Sequence, residues 1–312
     1  MKKNLFTLLL GAAIIFMMSS CNSKKNNEVN NADNDSTTVA SFDYTPAEPV
    51  NGTKKAVIEL GASGFNLFVV EIDKDKNWKA LRKDFGSSVI SEGMTSAKVI
   101  KAKLEDYIKS VIGSSGVEGK NIHFVVSSGA AKEKITEEIT RALKQIGYYV
   151  NTVTPEQEAE YAFLCTLPKG YEDKAFVTDI GSNNTKVAWM ADGKKKTEES
   201  YGAKYFQKGI DDKTVYEDVK VKLAGIPEQN CKTLFLIGGV PFKMAKMQKK
   251  GDERYTVLST KISDYDELIK KEGDKMKSGI NIYKAIVDAT CAEQVVFDWD
   301  ANFAIGFLLN MK

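Results

Sequence analysis

The sequence predicts an α/β body of two similar lobes, each of βββαβα order, set around a central cleft. One observation is an internal likeness. Ala56-Val-Ile-Glu-Leu-Gly-Ala-Ser-Gly-Phe-Asn-Leu-Phe-Val-Val matches Phe176-Val-Thr-Asp-Ile-Gly-Ser-Asn-Asn-Thr-Lys-Val-Ala-Trp-Met in pattern: strand, acid, apolar residue, glycine, small polar turn, strand. The other is that each copy is followed by the same succession of hydrophobic periods.

After the first copy the chain reads as a strand at Trp78 to Phe85 and an amphipathic helix over Ser96 to Ile112. The strand Ile122 to Ser127 and the helix Lys132 to Ile146 follow. After the second copy come a strand near Lys196 to Tyr201 and helical stretches between Tyr205 and Leu223. The strand Thr233 to Ile237 and a helix from Pro241 onward complete that half. The first lobe is set at residues 54–153 and the second at 154–312. A helix start opens the second lobe: Thr154 suits the N-cap, Pro155 the first helical position and Gln157 the capping box, while Glu156 and Glu158 favour the dipole.

Ahead of the body, Lys2 and Lys3 precede an apolar run from Leu5 to Met18 that is too short to span a bilayer. Met18-Ser19-Ser20-Cys21 is similar to a lipobox, so residues 1–21 read as a lipoprotein signal ending in a lipidated Cys21. Residues 22–53 are rich in Asn, Ser, Asp, Lys and Thr, have three prolines or glycines near the end and no apolar period, and read as a flexible tether. Asn22, in place of Asp, points to an outer-membrane anchor facing the periplasm.

Of 312 residues, 43% are hydrophobic, which is enough for a core, and 44 basic against 42 acidic residues leave no strong field. No nucleic-acid partner is expected, and membrane contact is expected through the lipid only. A homodimer is compatible with the sequence. Cys165, Cys231 and Cys291 are too widely spaced for a metal pair and allow at most one disulfide among them. Cys165, inside the apolar run Tyr161 to Leu167, reads as a buried thiol. The single histidine, His123, lies in a strand, so a Ser-His-Asp triad or a histidine zinc site has little support.

The two hairpin turns carry the chemistry that remains. Gly61, Gly64 and Gly181 let backbone N–H groups approach phosphate oxygens. Ser63, Ser182, Asn183, Asn184 and Thr185 add donors, and Glu59 with Asp179 suits a hard cation.

These motifs resemble the exopolyphosphatase and guanosine-pentaphosphate phosphohydrolase family, within the actin, sugar-kinase and chaperone ATPase superfamily. Glu59-Leu-Gly-Ala-Ser-Gly-Phe-Asn-Leu resembles its first phosphate loop. Val126-Ser-Ser-Gly-Ala-Ala-Lys-Glu resembles its Ala-Thr-Ser-Ala-x-Arg-Glu segment, which puts Lys132 at the phosphate-binding arginine. Thr154-Pro-Glu-Gln-Glu-Ala-Glu resembles the segment with the catalytic glutamate, at Glu158. Asp179-Ile-Gly-Ser-Asn-Asn-Thr-Lys resembles the second phosphate loop, Ile237-Gly-Gly-Val-Pro a glycine-rich strand end, and Asn302-Phe-Ala-Ile-Gly-Phe-Leu-Leu the closing helix. The resemblance implies two ribonuclease H-like, actin-like ATPase lobes with the last helix returning to the first. It implies that Glu158 activates a water against the terminal phosphate of polyphosphate or a related phosphorylated small molecule, with Mg2+ or another divalent cation.

The departures fall at the chemistry. Glu59 replaces an aspartate, Ser182 and Asn183 replace glycines, Lys132 replaces an arginine, and Lys186 stands where the second loop ends in a glutamate. Two functions follow: a metal-assisted phosphohydrolase, and a degenerate lipoprotein that binds a phosphate ligand or a protein without turnover.

Overall fold

The computed structural model describes residues 41–61, 64–86 and 97–311. The first lobe runs β1 (Thr53–Gly61), β2 (Gly64–Ile72), β3 (Trp78–Phe85), α1 (Ala97–Ser115), β4 (Ile122–Val126), α2 (Lys134–Gln145) and β5 (Val150–Thr152). Next comes α3 (Pro155–Thr166). The second lobe runs β6 (Ala175–Ile180), β7 (Asn184–Ala191), β8 (Lys194–Tyr201), α4 (Asp212–Leu223), β9 (Thr233–Ile237), α5 (Gly239–Gln248), β10 (Tyr255–Val257), α6 (Asp266–Glu272), α7 (Asp274–Thr290) and β11 (Gln294–Asp298). The chain closes with α8 (Phe303–Asn310).

The sheets have the orders β3-β2-β1-β4-β5 and β10-β11-β9-β6-β7-β8. In each, an antiparallel three-strand meander joins parallel strands through the central strand, β1 to β4 and β6 to β9. The two-lobed βββαβα reading is therefore the observed fold. In the second sheet β11 holds the place that β5 holds in the first, and β10 is the added strand at the edge beyond it. Strand composition follows position. β6 is buried at every residue, as a strand covered on both faces must be, whereas edge strand β8, Lys-Lys-Lys-Thr-Glu-Glu-Ser-Tyr, alternates no apolar face and carries charge.

Five layers result. An outer apolar cluster joins the first sheet to α1 and α2, and another joins the second sheet to α4, α5, α6 and α7. Between the sheets lie α3 and α8, whose side chains share one cluster with Val57, Phe68 and Val70 of the first sheet and Val177, Phe235 and Val296 of the second. Helix α3 lies against β6, β7 and β8, and α8 against β1 and β2. Phe-Ala-Ile-Gly-Phe-Leu-Leu is apolar on all sides because α8 is buried along this run, with Phe307 alone in it half-exposed. The two helices touch at Gly306, where a Cβ would lie 1.9 Å from the Tyr161 carbonyl oxygen.

Residues 41–52, read from the sequence as the end of the tether, pack against the body. The Phe42 ring lies 5.3 Å from Phe235, 5.2 Å from Tyr255 and 5.6 Å from Tyr171, with Tyr44 beside it. The Val50 N–H then donates to Asp73 Oδ2 at 3.1 Å. Composition argued for a tether because one aromatic pair makes no period, yet two rings are enough to bind a short strap. Cys21 lies outside the described residues.

Candidate functional site

The site is assembled by hairpin register. In the first hairpin Gly61 pairs with Gly64, which places Asn66 opposite Glu59; in the second, Ile180 pairs with Thr185, which places Lys186 opposite Asp179. Both acids therefore sit two residues ahead of a glycine turn, near the carboxyl end of a central strand, where open α/β sheets collect ligand groups.

Glu59 Oε2 accepts from Asn66 Nδ2 at 3.0 Å and from Asn302 Nδ2 at 3.2 Å. Asn302 is the N-cap of α8 and also accepts the Ala304 N–H through Oδ1, so one amide ties the helix start to the acid. Burial raises the Glu59 carboxyl most; the Asn66 bond opposes this, the Glu158 and Asp179 charges add to it, and the result is about 7.

Glu158 has no exposed surface. The capping box of Thr154 and Gln157 closes the start of α3, so the helix does not call on the Glu158 side chain. Its Oε1 accepts the Ser128 N–H at 2.9 Å, and Oε2 accepts the Ser128 hydroxyl at 2.9 Å and Lys186 Nζ at 2.8 Å. Lys186 Nζ also lies 3.4 Å from Asp179 Oδ2. Burial alone would lower the Lys186 ammonium, but Asp179 and Glu158 carry it well above the ordinary lysine value.

The second turn bridges the lobes. Asn183 Nδ2 donates to the Gly129 carbonyl at 3.2 Å, and Asn184 Nδ2 donates to Ser128 Oγ at 3.1 Å and Glu199 Oε1 at 2.7 Å. Gly181 and Ser182 are half-exposed at the rim. Gly238, at φ +113°, lets α5 begin against Asp179: a Cβ there would lie 2.9 Å from Asp179 Oδ1 and 2.4 Å from the Ile180 carbonyl oxygen.

The structure thus brings together Glu59, Gly61, Gly64, Glu158, Asp179, Gly181, Asn183 and Asn184. Lys132 is exposed at the end of the short helical turn Ala130–Lys132 and enters none of the hydrogen bonds that knit the seam. Ser63 lies outside the described residues. Sequence reasoning missed Ser128 and Asn302 as site residues. The signal for Ser128 was its place just beyond a parallel strand, and for Asn302 its place as an N-cap beside a central strand.

The family resemblance implied a divalent cation held by Glu59 and Asp179, and the residues present do not fit one. The Lys186 ammonium already stands against Asp179 and Glu158, and the Glu59 carboxylate accepts from Asn66 and Asn302. Among the described residues no three His, Cys, Asp or Glu side chains form a metal-holding group.

No protein-family model matches the chain, and no curated protein matches it. Solved structures do. The Ppx/GppA enzyme of Aquifex aeolicus is 18% identical with a TM-score of 0.64, over 83% of this chain and 99% of that one. The exopolyphosphatase of Cytophaga hutchinsonii is 14% identical with a TM-score of 0.62, over 82% and 96%. An exopolyphosphatase-like protein is 14% identical with a TM-score of 0.61, over 84% and 98%. The motif resemblance and the architecture agree: over most of its length this chain has the actin-like, two-lobed fold of the Ppx/GppA exopolyphosphatase structures.

Proposed function

We propose that the chain is an envelope lipoprotein that binds the phosphate end of polyphosphate or a related phosphorylated ligand at the rim of the lobe seam, without hydrolysing it. The observation that carries this reading is the state of Glu158. A general base must reach the water it activates. Glu158 is fully buried and its two oxygens already accept three hydrogen bonds, one of them from an ammonium.

Support for an anionic ligand comes from the rim. The half-exposed turn at Gly181 to Asn183 is joined to Lys204, whose N–H donates to the Ser182 carbonyl at 2.9 Å. Lys275 is held below the ordinary lysine value by burial first and then by the charges of Lys204 and Lys243. Lys243 is paired with Glu272, so Lys204 and Lys275 are the charges beside the turn that a polyanion would neutralise. In calorimetric titration of the full chain, polyphosphate should bind saturably, and Lys204→Ala should weaken it about tenfold, the loss of one charge contact. Absence of saturable binding by polyphosphate and by phosphorylated small molecules sinks the proposal.

A second reading is favoured by one observation. Ser128, Glu158 and Asp179 converge from the end of β4, from α3 and from β6, as a hydrolytic centre would require. Hydrolysis of a terminal phosphoanhydride by a Glu158-activated water needs Lys186 to release that carboxylate. Restoring the family pattern with Lys186→Glu and Ser182→Gly should then raise phosphate release, and no release with any added divalent ion removes this reading.

A further inference from the structure

Taking several charged side chains out of water together is costly unless they neutralise one another. Glu59, Glu158 and Asp179 come from β1, α3 and β6 into one seam, and each is no more than 8% exposed. Only 6% of Lys186 is exposed; it enters from β7 with Nζ 2.8 Å from Glu158 Oε2 and 3.4 Å from Asp179 Oδ2. Glu59 adds a third buried acid to the seam, held by Asn66 and Asn302 rather than by Lys186. Carboxylate oxygens converging from α3 and β6 are donors that a hard divalent cation takes, and the point in contact with both, where Lys186 Nζ lies, is where such an ion would stand.

We infer that Lys186 is a tethered substitute for a divalent cation: the chain carries its own counter-charge in the seam, and this one ammonium occupies the point between Glu158 and Asp179 where such an ion would bind. The placement is built in at two levels. Register sets Lys186 opposite Asp179 across the hairpin. The turn then folds over the ammonium, since a Cβ on Gly181 would lie 3.3 Å from Lys186 Nζ. A lysine on a flexible stem reaches both acids with donors and needs no metal supply, so the native protein is indifferent to divalent ions.

The test uses Mn2+ alone, without any phosphorylated ligand, so its outcome is separate from that of the ligand-binding proposal. Mn2+ is titrated by electron paramagnetic resonance into the native full chain and Lys186→Met, with thermal unfolding followed in parallel. The native chain should sequester no Mn2+ up to about 1 mM and keep its Tm, whereas Lys186→Met should bind one Mn2+ at least about tenfold more tightly and gain Tm as Mn2+ rises. Adding Asp179→Asn to that variant should abolish the gain. If Lys186→Met unfolds without metal, Lys186→Met with Glu59→Gln leaves one charge fewer and takes the same titration, and recovery of folding by Mn2+ supports the inference. Native Mn2+ binding that Asp179→Asn removes overturns it. So does a folded Lys186 variant with no tighter site, or failure of Mn2+ to restore either variant.

Discussion

A glutamate in the first turns of a helix can serve the helix, a water or an ion pair. In α3 the helix is already capped by Thr154 and Gln157, and the Glu158 oxygens go to Ser128 and Lys186 instead. Loss of a dipole interaction alone would cost a few tenths of a kcal/mol. Removing one partner of a buried pair leaves the other charge uncompensated, so Glu158→Gln and Lys186→Met should each cost roughly 3 kcal/mol, and the double variant much less than their sum. Denaturant unfolding of the four species measures the coupling, and additive losses would refute the pair. Glu59 gives the pH counterpart. Its carboxyl is raised from 4.5 to about 7 in the folded chain. As pH climbs through the unfolded value, the unfolded chain loses this proton while the folded chain keeps it until about 7. Stability therefore falls across that window, by up to roughly 3 kcal/mol, and is lowest on this account above it. Glu59→Gln should flatten the decline, and equal slopes for the two proteins between these values would contradict the assignment.

At the scale of elements, the strap at Phe42 and Tyr44 ties the segment ahead of β1 to both sheets. It reaches Phe235 and Tyr255 in the second lobe and Asp73 at the end of β2 in the first. Replacing Phe42 and Tyr44 by Ala should cost roughly 3 kcal/mol, from lost apolar burial and ring contacts, with proteolysis near residue 50 accelerated. A variant as stable and as resistant as the native chain would show that the strap is only laid on the surface. The strap was not legible from composition, whereas the repeated meander was, because acid, glycine and alternating apolar residues recur in both copies. Lys186 was read as a swapped charge on the loop. Counting back from the turn would have placed it opposite Asp179, but only the fold could show that Glu158, on another element, shares its ammonium. The strands β10 and β11 and the helices α6 and α7 went unread. The three-residue β10 is too short to show a period, and the place of β11 between β9 and β10 is set by tertiary pairing.

For the molecule as a whole, the layered body puts α3 and α8 between two sheets, so the acids of both lobes meet where the central helices begin. No helix among the described residues is long and apolar enough to cross a membrane, and the proposed attachment rests on Cys21 alone. Cys21→Ser should abolish lipid labelling and membrane retention, and a variant that still carries label would dismiss the lipoprotein reading. On the proposed reading, enclosure of Glu158 in the seam keeps it from activating a water. The most direct test is phosphate release from polyphosphate by the purified full chain with Mg2+ at neutral pH, beside Glu158→Gln. Release should stay at the background set by Glu158→Gln while polyphosphate still binds. Sustained turnover that Glu158→Gln lowers by roughly a hundredfold, as the loss of a general base would, contradicts the account.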